Sequence, residues 1–278
     1  MVKPGYNTNG LTHHRLDEAL ELVAEAGFRA VALTLDVPHL DPLRAGPGET
    51  ARAARLLESL GLETVVETGG RFLLDPRRKH RPNLLEKDPL ERKKRFDLLV
   101  RCLSIARDLG ARVLSLWSGT VPEGVSWEAA WKRLQEGLDR LVEEARKKGI
   151  ALALEPEPGH LVERVAHWRA LIREMGPSGP GLCLDVGHLW VLGEGPPGEV
   201  LLEGEWPRLL QVHLDDALPG RHEHLEPGRG VVDFSMVFRD LAAGGYEGPA
   251  CWELSRSSHR APQALREAWE VTKVLTKH

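Results

Sequence analysis

Eight times over, this chain passes from a short apolar run to an amphipathic helical pattern, and that alternation restricts its fold more than any other feature. The strand-like runs are VKPGYNT (2–8), RAVALTL (29–35), LETVVET (62–68), ARVLSLW (111–117), IALALE (150–155), GLCLD (181–185), LLQVHL (209–214) and PACWEL (249–254). Helical patterns separate them. The clearest, SWEAAWKRLQEGLDRLVEEARKKG (126–149), puts Trp127, Trp131, Leu134, Leu138, Leu141, Val142 and Ala145 on one stripe. The last runs from Ala261 to Lys277. Strict alternation implies parallel strands joined by crossover helices. Eight such units in 278 residues predict an α/β fold, a single (β/α)8 barrel over 1–278, with its working residues at the C-terminal ends of the strands. An open doubly wound sheet is disfavoured, because no GxGxxG follows the first run.

The formal net charge of -4 gives no general attraction to nucleic acid or to an anionic membrane. No apolar run nears the roughly 20 residues of a membrane span. The stretch MVKPGYNTNG lacks the apolar segment of a secretory signal. Cys102, Cys183 and Cys251 show no CxxC spacing and read as small buried thiols. A cytoplasmic protein is expected.

Four consecutive strands carry a metal-ligating residue type at the same end: Glu155, Asp185, His213 and Glu253. Their separations are 30, 28 and 40 residues, close to one βα unit each, the last lengthened by the loop DDALPGRHEHLEPGRG. Strand residues alternate between faces. If these four point into the barrel, so do Ala153, Cys183, Gln211 and Cys251. Leu152, Leu154, Leu182, Leu184, Val212, Leu214 and Trp252 then face the helices. Inward positions are small or polar and end in a ligand type; outward positions are large and apolar. Three carboxylates meeting at one mouth repel unless protons or a cation balance them. A divalent ion answers this, and the oxygen-rich mixed set suits Mn²⁺, Zn²⁺, Mg²⁺ or Co²⁺. For any one residue alone, a salt bridge to Lys or Arg is the competing reading.

The motifs LALEP, CLDVGH, QVHLDDA and CWEL resemble those of the xylose isomerase-like barrel superfamily, which includes ketose 3-epimerases, hydroxypyruvate isomerases, inosose dehydratases and endonuclease IV. The resemblance implies that Glu155, Asp185, His213 and Glu253 are shared metal ligands. It implies that His188 reaches a substrate oxygen or a further metal, with Gly187 letting the turn bring it back over the mouth. It also implies Glu155 and Glu253 as a base and acid pair. In the endonuclease IV branch a similar loop supplies an Asp-x-His pair to an additional metal. Here His222 and His224 stand at that spacing, so His188, His222 and His224 either hold a second metal or contact substrate.

Other residues are candidates for binding substrate. Glu67 and Trp117 end strands three and four, Glu157 follows Glu155 by two residues, and His39 follows strand two. Residues 71–95 contain ten Lys/Arg and four Asp/Glu, a formal +6. Arg77, Arg78, Lys79 and Arg81 could clamp an anionic group such as a sugar phosphate; a solvated surface is the alternative. The expected activity is a metal-dependent sugar or sugar-phosphate isomerase or epimerase, abstracting a proton beside a polarised carbonyl. The alternatives are an endonuclease IV-like phosphodiesterase or an inosose dehydratase-type lyase. Trp117 stands where the nuclease branch uses a histidine, and that weakens the first alternative. The expected partner is a small sugar; nucleic acid and membrane are not expected. Relatives are often homo-oligomers, but no sequence feature identifies an interface.

Overall fold

The structure, a computed structural model, describes residues 2–276. Its strands are β1 (Lys3–Asn7), β2 (Ala30–Thr34), β3 (Glu63–Glu67), β4 (Val113–Trp117), β5 (Ala151–Glu155), β6 (Gly181–Asp185), β7 (Leu209–Leu214), β8 (Asp216–Leu218), β9 (Arg221–Leu225) and β10 (Pro249–Trp252). Eight of them close a parallel barrel in the order β1-β10-β7-β6-β5-β4-β3-β2. The helices are α1 (Leu16–Ala26), α2 (Pro47–Ser59), α3 (Pro89–Asp108), α4 (Trp127–Lys147), α5 (Val165–Met175), α6 (Val186–Leu192), α7 (Pro197–Val200), α8 (Phe234–Ala243) and α9 (Ala261–Leu275). The predicted continuation of the last helix to Lys277 lies outside the described residues. Among those residues, no helix is long and apolar enough to cross a membrane. All three cysteines are free and buried.

The parity expectation holds. Ala30, Ala32, Val65, Val113, Ala153, Cys183 and Cys251 pack together inside the barrel, while the leucines and valines of the outward faces join the larger cluster under the helices. Each fully buried Leu or Val contributes roughly 1.5–3 kcal/mol of transfer free energy, so the outer layer carries most of the stability. The interior is tight. Gly5 faces inward on β1, where a methyl group would meet Cys251 Sγ and the Ala30 carbonyl.

Side-chain caps begin several helices: Asp88 for α3, Ser126 for α4, Asp185 for α6 and Asp233 for α8 each accept a bond from a backbone N–H of the first turn. On α4 the predicted stripe is buried at Trp131, Leu134, Leu138, Leu141 and Ala145, but Trp127 is 48% exposed and stacks on Trp131. It is the first helical residue after the Ser126 cap, one turn beyond the barrel wall. The short apolar run after Asp185 forms α6 rather than a turn. The loop after β7 folds into an antiparallel hairpin, β8–β9, outside the barrel. Asp216 ties this hairpin down by accepting from the amides of Gly228 and Gly230 (2.8 Å each) and Val232 (3.0 Å).

Candidate active site

Glu155, Asp185, His213 and Glu253 converge at the C-terminal mouth. One ligand atom from each lies within 4.8 Å of the others, and all four residues are buried. His213 Nδ1 is 3.0 Å from Glu155 Oε1 and 2.7 Å from Glu253 Oε2. On the far side of its ring, the Gln211 amide nitrogen lies 2.6 Å from Nε2 and donates to it, while Gln211 Oε1 is buried without a partner. With the amide turned over, that oxygen would accept an Nε2–H and leave the Nδ1 lone pair for a cation. Asp185 divides its oxygens. Oδ1 accepts from the His188 amide at 2.8 Å and caps α6; Oδ2 is buried without a hydrogen-bond partner, 4.0 Å from His224 Nδ1. Burial pushes the Asp185 carboxyl well up, reinforced by Asp215. Burial alone would lower His213, but Cys183, Glu155 and Glu253 outweigh it and hold the imidazole well above its usual value. Burial raises Glu155 as well; Glu253 instead is lowered, because His213, His224 and the Asn9 amide overcome its desolvation. The donor set therefore fits a divalent cation: three carboxylates, one with an orphaned oxygen, and one imidazole, with no Lys or Arg paired to any of them among the described residues.

A second cluster sits beside the first. His222 Nε2 is 2.9 Å from His188 Nε2 and 3.1 Å from His224 Nε2. His188 Nδ1 donates to the Pro156 carbonyl at 3.0 Å, which fixes its Nε2 as a lone pair. His224 Nδ1 lies 3.0 Å from Asp215 Oδ2, which favours the proton there. A ring nitrogen is either a donor or an acceptor, so His222 Nε2 can satisfy only one of its two neighbours. A cation shared by the three nitrogens would satisfy all of them. Glu157 closes this side, with oxygens 3.7 Å from His222 Nε2 and 3.9 Å from His188 Nε2. Gly187 lies inside α6, and its bareness serves a different end from the one its sequence suggested. Its amide donates to Asp215 Oδ1 at 2.9 Å, and a methyl group there would collide with that carboxylate.

Both clusters open into one cavity of about 270 Å³, lined among others by Asn9, Glu67, Trp117, Glu157 and Ser255. That is small for a ligand site and suits a small substrate. A larger cavity of about 640 Å³ lies at the opposite end of the barrel, around Lys3, Glu63, Arg112 and Leu210, and gathers no ligand cluster among the described residues.

Residues 20–275 match the family described as xylose isomerase-like TIM barrel. The chain belongs to that family. It is similar to the L-ribulose-5-phosphate 3-epimerase UlaE of Shigella flexneri serotype 5b (strain 8401), 25% identical over 248 residues, 89% of this chain and 84% of that protein. Its fold matches the D-allulose 3-epimerase of Methylomonas sp. at a TM-score of 0.79, with 21% identity over 99% of this chain and 98% of that one. It also matches the 3-keto-D-glucoside 4-epimerase YcjR of E. coli at a TM-score of 0.77, with 17% identity over 99% and 100% of the two chains.

In this xylose isomerase-like barrel the remaining sequence candidates divide. Glu67 reaches the cavity and accepts from Asn7 Nδ2 and Thr34 Oγ1, both at 2.7 Å. Burial, then Glu253, pushes its carboxyl up to about 7. Trp117 lines the cavity with His80 against its ring and the Arg95 guanidinium over it. His39 is buried against the His14 carbonyl instead and does not line this cavity. Arg77 and Arg78 also stand outside it: Asp75 accepts from the Arg77 amide, and Asp75 with Glu91 holds the Arg78 guanidinium. Arg81 is paired with Glu86. Of that basic run, Lys79 reaches the cavity, joined by Arg71 and His80. Sequence reasoning missed Asn7, Asn9, Thr34 and Asp215. Asn7 and Thr34 end β1 and β2, and the parity rule used on the later strands would have found them.

Proposed function

We propose that this chain is a divalent-metal-dependent epimerase or isomerase of a small ketose or ketose phosphate. One observation carries the reading: Glu155 and Glu253 flank His213 Nδ1 at 3.0 and 2.7 Å, and a carboxylate oxygen of Asp185 completes a set whose ligand atoms lie within 4.8 Å of one another. The epimerase names of its relatives support it. Glu155, Asp185, His213 and Glu253 would hold the ion; Mn²⁺ suits this oxygen-rich set, with Zn²⁺, Mg²⁺ or Co²⁺ as substitutes. When bound, the ion polarises a substrate carbonyl and makes the adjacent C–H acidic. Glu155 and Glu253 then supply the proton chemistry, one carboxylate removing the proton and the other returning one to the opposite face. Asn9 Nδ2 donates to Glu253 Oε1 at 2.8 Å and fixes that carboxylate's orientation. The anchored His188 presents Nε2 to a substrate oxygen or to a second ion. We assign that second ion to His188, His222 and His224, where all-imidazole ligation favours Zn²⁺. Three buried free thiols suit the cytoplasm.

The test is solvent-deuterium exchange into a panel of ketoses and their phosphates by Mn²⁺-loaded protein. Exchange at the carbon beside the carbonyl is expected; none with any member of the panel overturns the reading. The three-histidine cluster favours a second reading, an endonuclease IV-like phosphodiesterase. Three tightly held Zn²⁺ per chain together with cleavage of abasic DNA would establish it instead. Loss of water from the sugar in the same panel would point to a dehydratase-type lyase.

A further inference from the structure

The opposite wall of the same cavity has the opposite charge. Of the ten Lys and Arg between 71 and 95, Arg78, Arg81, Lys93 and Lys94 are paired with carboxylates. Arg71 and Lys79, the two that line the cavity, have no carboxylate partner among the described residues. Next to them is His80, its amide bonded to the Arg71 carbonyl at 2.6 Å, held at a left-handed φ of 60° with its ring against Trp117 and its Nε2 buried without a partner. Behind Trp117, Arg95 is only 3% exposed. Its guanidinium lies 4.5 Å from the Trp117 ring and donates one long bond, 3.4 Å, to the Thr68 carbonyl. An unpaired buried guanidinium is costly, and an anion nearby offsets that cost. Burial, followed by Lys79, Arg95, His160 and Arg71, pushes His80 down to about 3. Beyond Glu67, this corner of the cavity presents the Arg71 and Lys79 side chains and the His80 imidazole.

We propose that Arg71 and Lys79, with His80 beside them, bind the phosphate group of the substrate, so that the enzyme acts on a ketose phosphate in preference to the free sugar. This rests on the ketose reading above and narrows it. The substrate would lie across the cavity with its carbonyl end at Glu155 and Glu253 and its phosphate at the β3 loop. Arginine and lysine are the groups suited to a phosphate dianion, and the neutral imidazole adds a further polar contact.

The test uses the metal-loaded full chain, the double variant Arg71→Gln/Lys79→Gln, the charge-preserving Arg71→Lys, and Arg77→Gln as a control outside the cavity. Inorganic phosphate binding is measured by calorimetry, and kcat/KM is compared for a ketopentose phosphate and the free ketopentose. The double variant should weaken phosphate binding by about tenfold or more per residue, and lower the phosphorylated-to-free ratio of kcat/KM by on the order of 100-fold. Arg71→Lys should recover part of both, and Arg77→Gln should move neither. Metal content and melting temperature report whether the double variant is folded. Phosphate bound as tightly by the double variant, with the ratio unmoved, overturns the proposal. If phosphate binding is lost in the double variant yet no ketose exchanges a proton, the subsite stands and the ketose reading falls. If ketoses exchange but the ratio stays put, the subsite alone falls.

Discussion

The two walls of the barrel mouth are built by different means. On the β5, β6, β7 and β10 side, acidic and imidazole groups project from strand ends or just past them, and each is held by a partner: Gln211 behind His213, Asn9 on Glu253, α6 on Asp185. On the β3 and β4 side, beyond the strand-borne Glu67, Arg71, Lys79 and His80 come from an irregular loop, and the Arg71 and Lys79 side chains have no carboxylate partner among the described residues. Rigid staves suit groups that must meet an ion within fractions of an ångström. A loop suits groups that grip a remote substituent. The contrast makes the first wall a matter of chemistry and the second a matter of selection.

The sharpest way to break this contrast is to strike the strand-borne wall. Glu253→Gln keeps the Asn9 contact but removes a proton carrier, and kcat should fall by about 10²–10⁴-fold in steady-state assays. A fall confined to KM would erase the distinction between the walls. Next in size, Gln211→Leu removes the group behind His213; titration with Mn²⁺ should show affinity lowered by about 10–100-fold. His224→Ala should leave the first ion in place and remove the second, so that metal analysis by mass spectrometry falls by one ion per chain. Unchanged stoichiometry would reassign the histidines to substrate. The smallest effect concerns pH. Glu67 titrates near 7 in the folded chain and at the ordinary carboxylate value when unfolded, so the native state holds a proton that the unfolded chain has lost. Stability therefore falls as pH rises between those two values. Thermal melts of chelator-treated protein from pH 5 to 8 should drop by on the order of a few degrees, and Glu67→Gln should make the trend shallower while Glu155 and Asp185, raised in the same direction, keep part of it.

The same contrast governs what could be read without coordinates. A strand has a period of two, so a ligand type at its end and small residues at every second position before it define a face. That is why Glu155, Asp185, His213 and Glu253 were legible, along with the barrel that carries them. The loop has no period. Arg71 and Arg78 look alike in sequence, and what separates them is where Asp75 and Glu91 fall in the fold. The histidine pair of the β8–β9 hairpin was visible as a spacing. The hairpin itself was not, because Asp216 organises it through amides of residues 12 to 16 positions away.

That hairpin lies outside the ring of staves, fastened by Asp216 and by bonds from the Gly220 amide to the Val191 carbonyl and from Arg256 to the His222 carbonyl. Its histidines can thus be gained, lost or exchanged by altering a surface appendage, while the closed cylinder beneath keeps its packing. A scaffold arranged in this way can vary how many ions it recruits without reopening the problem of how to fold.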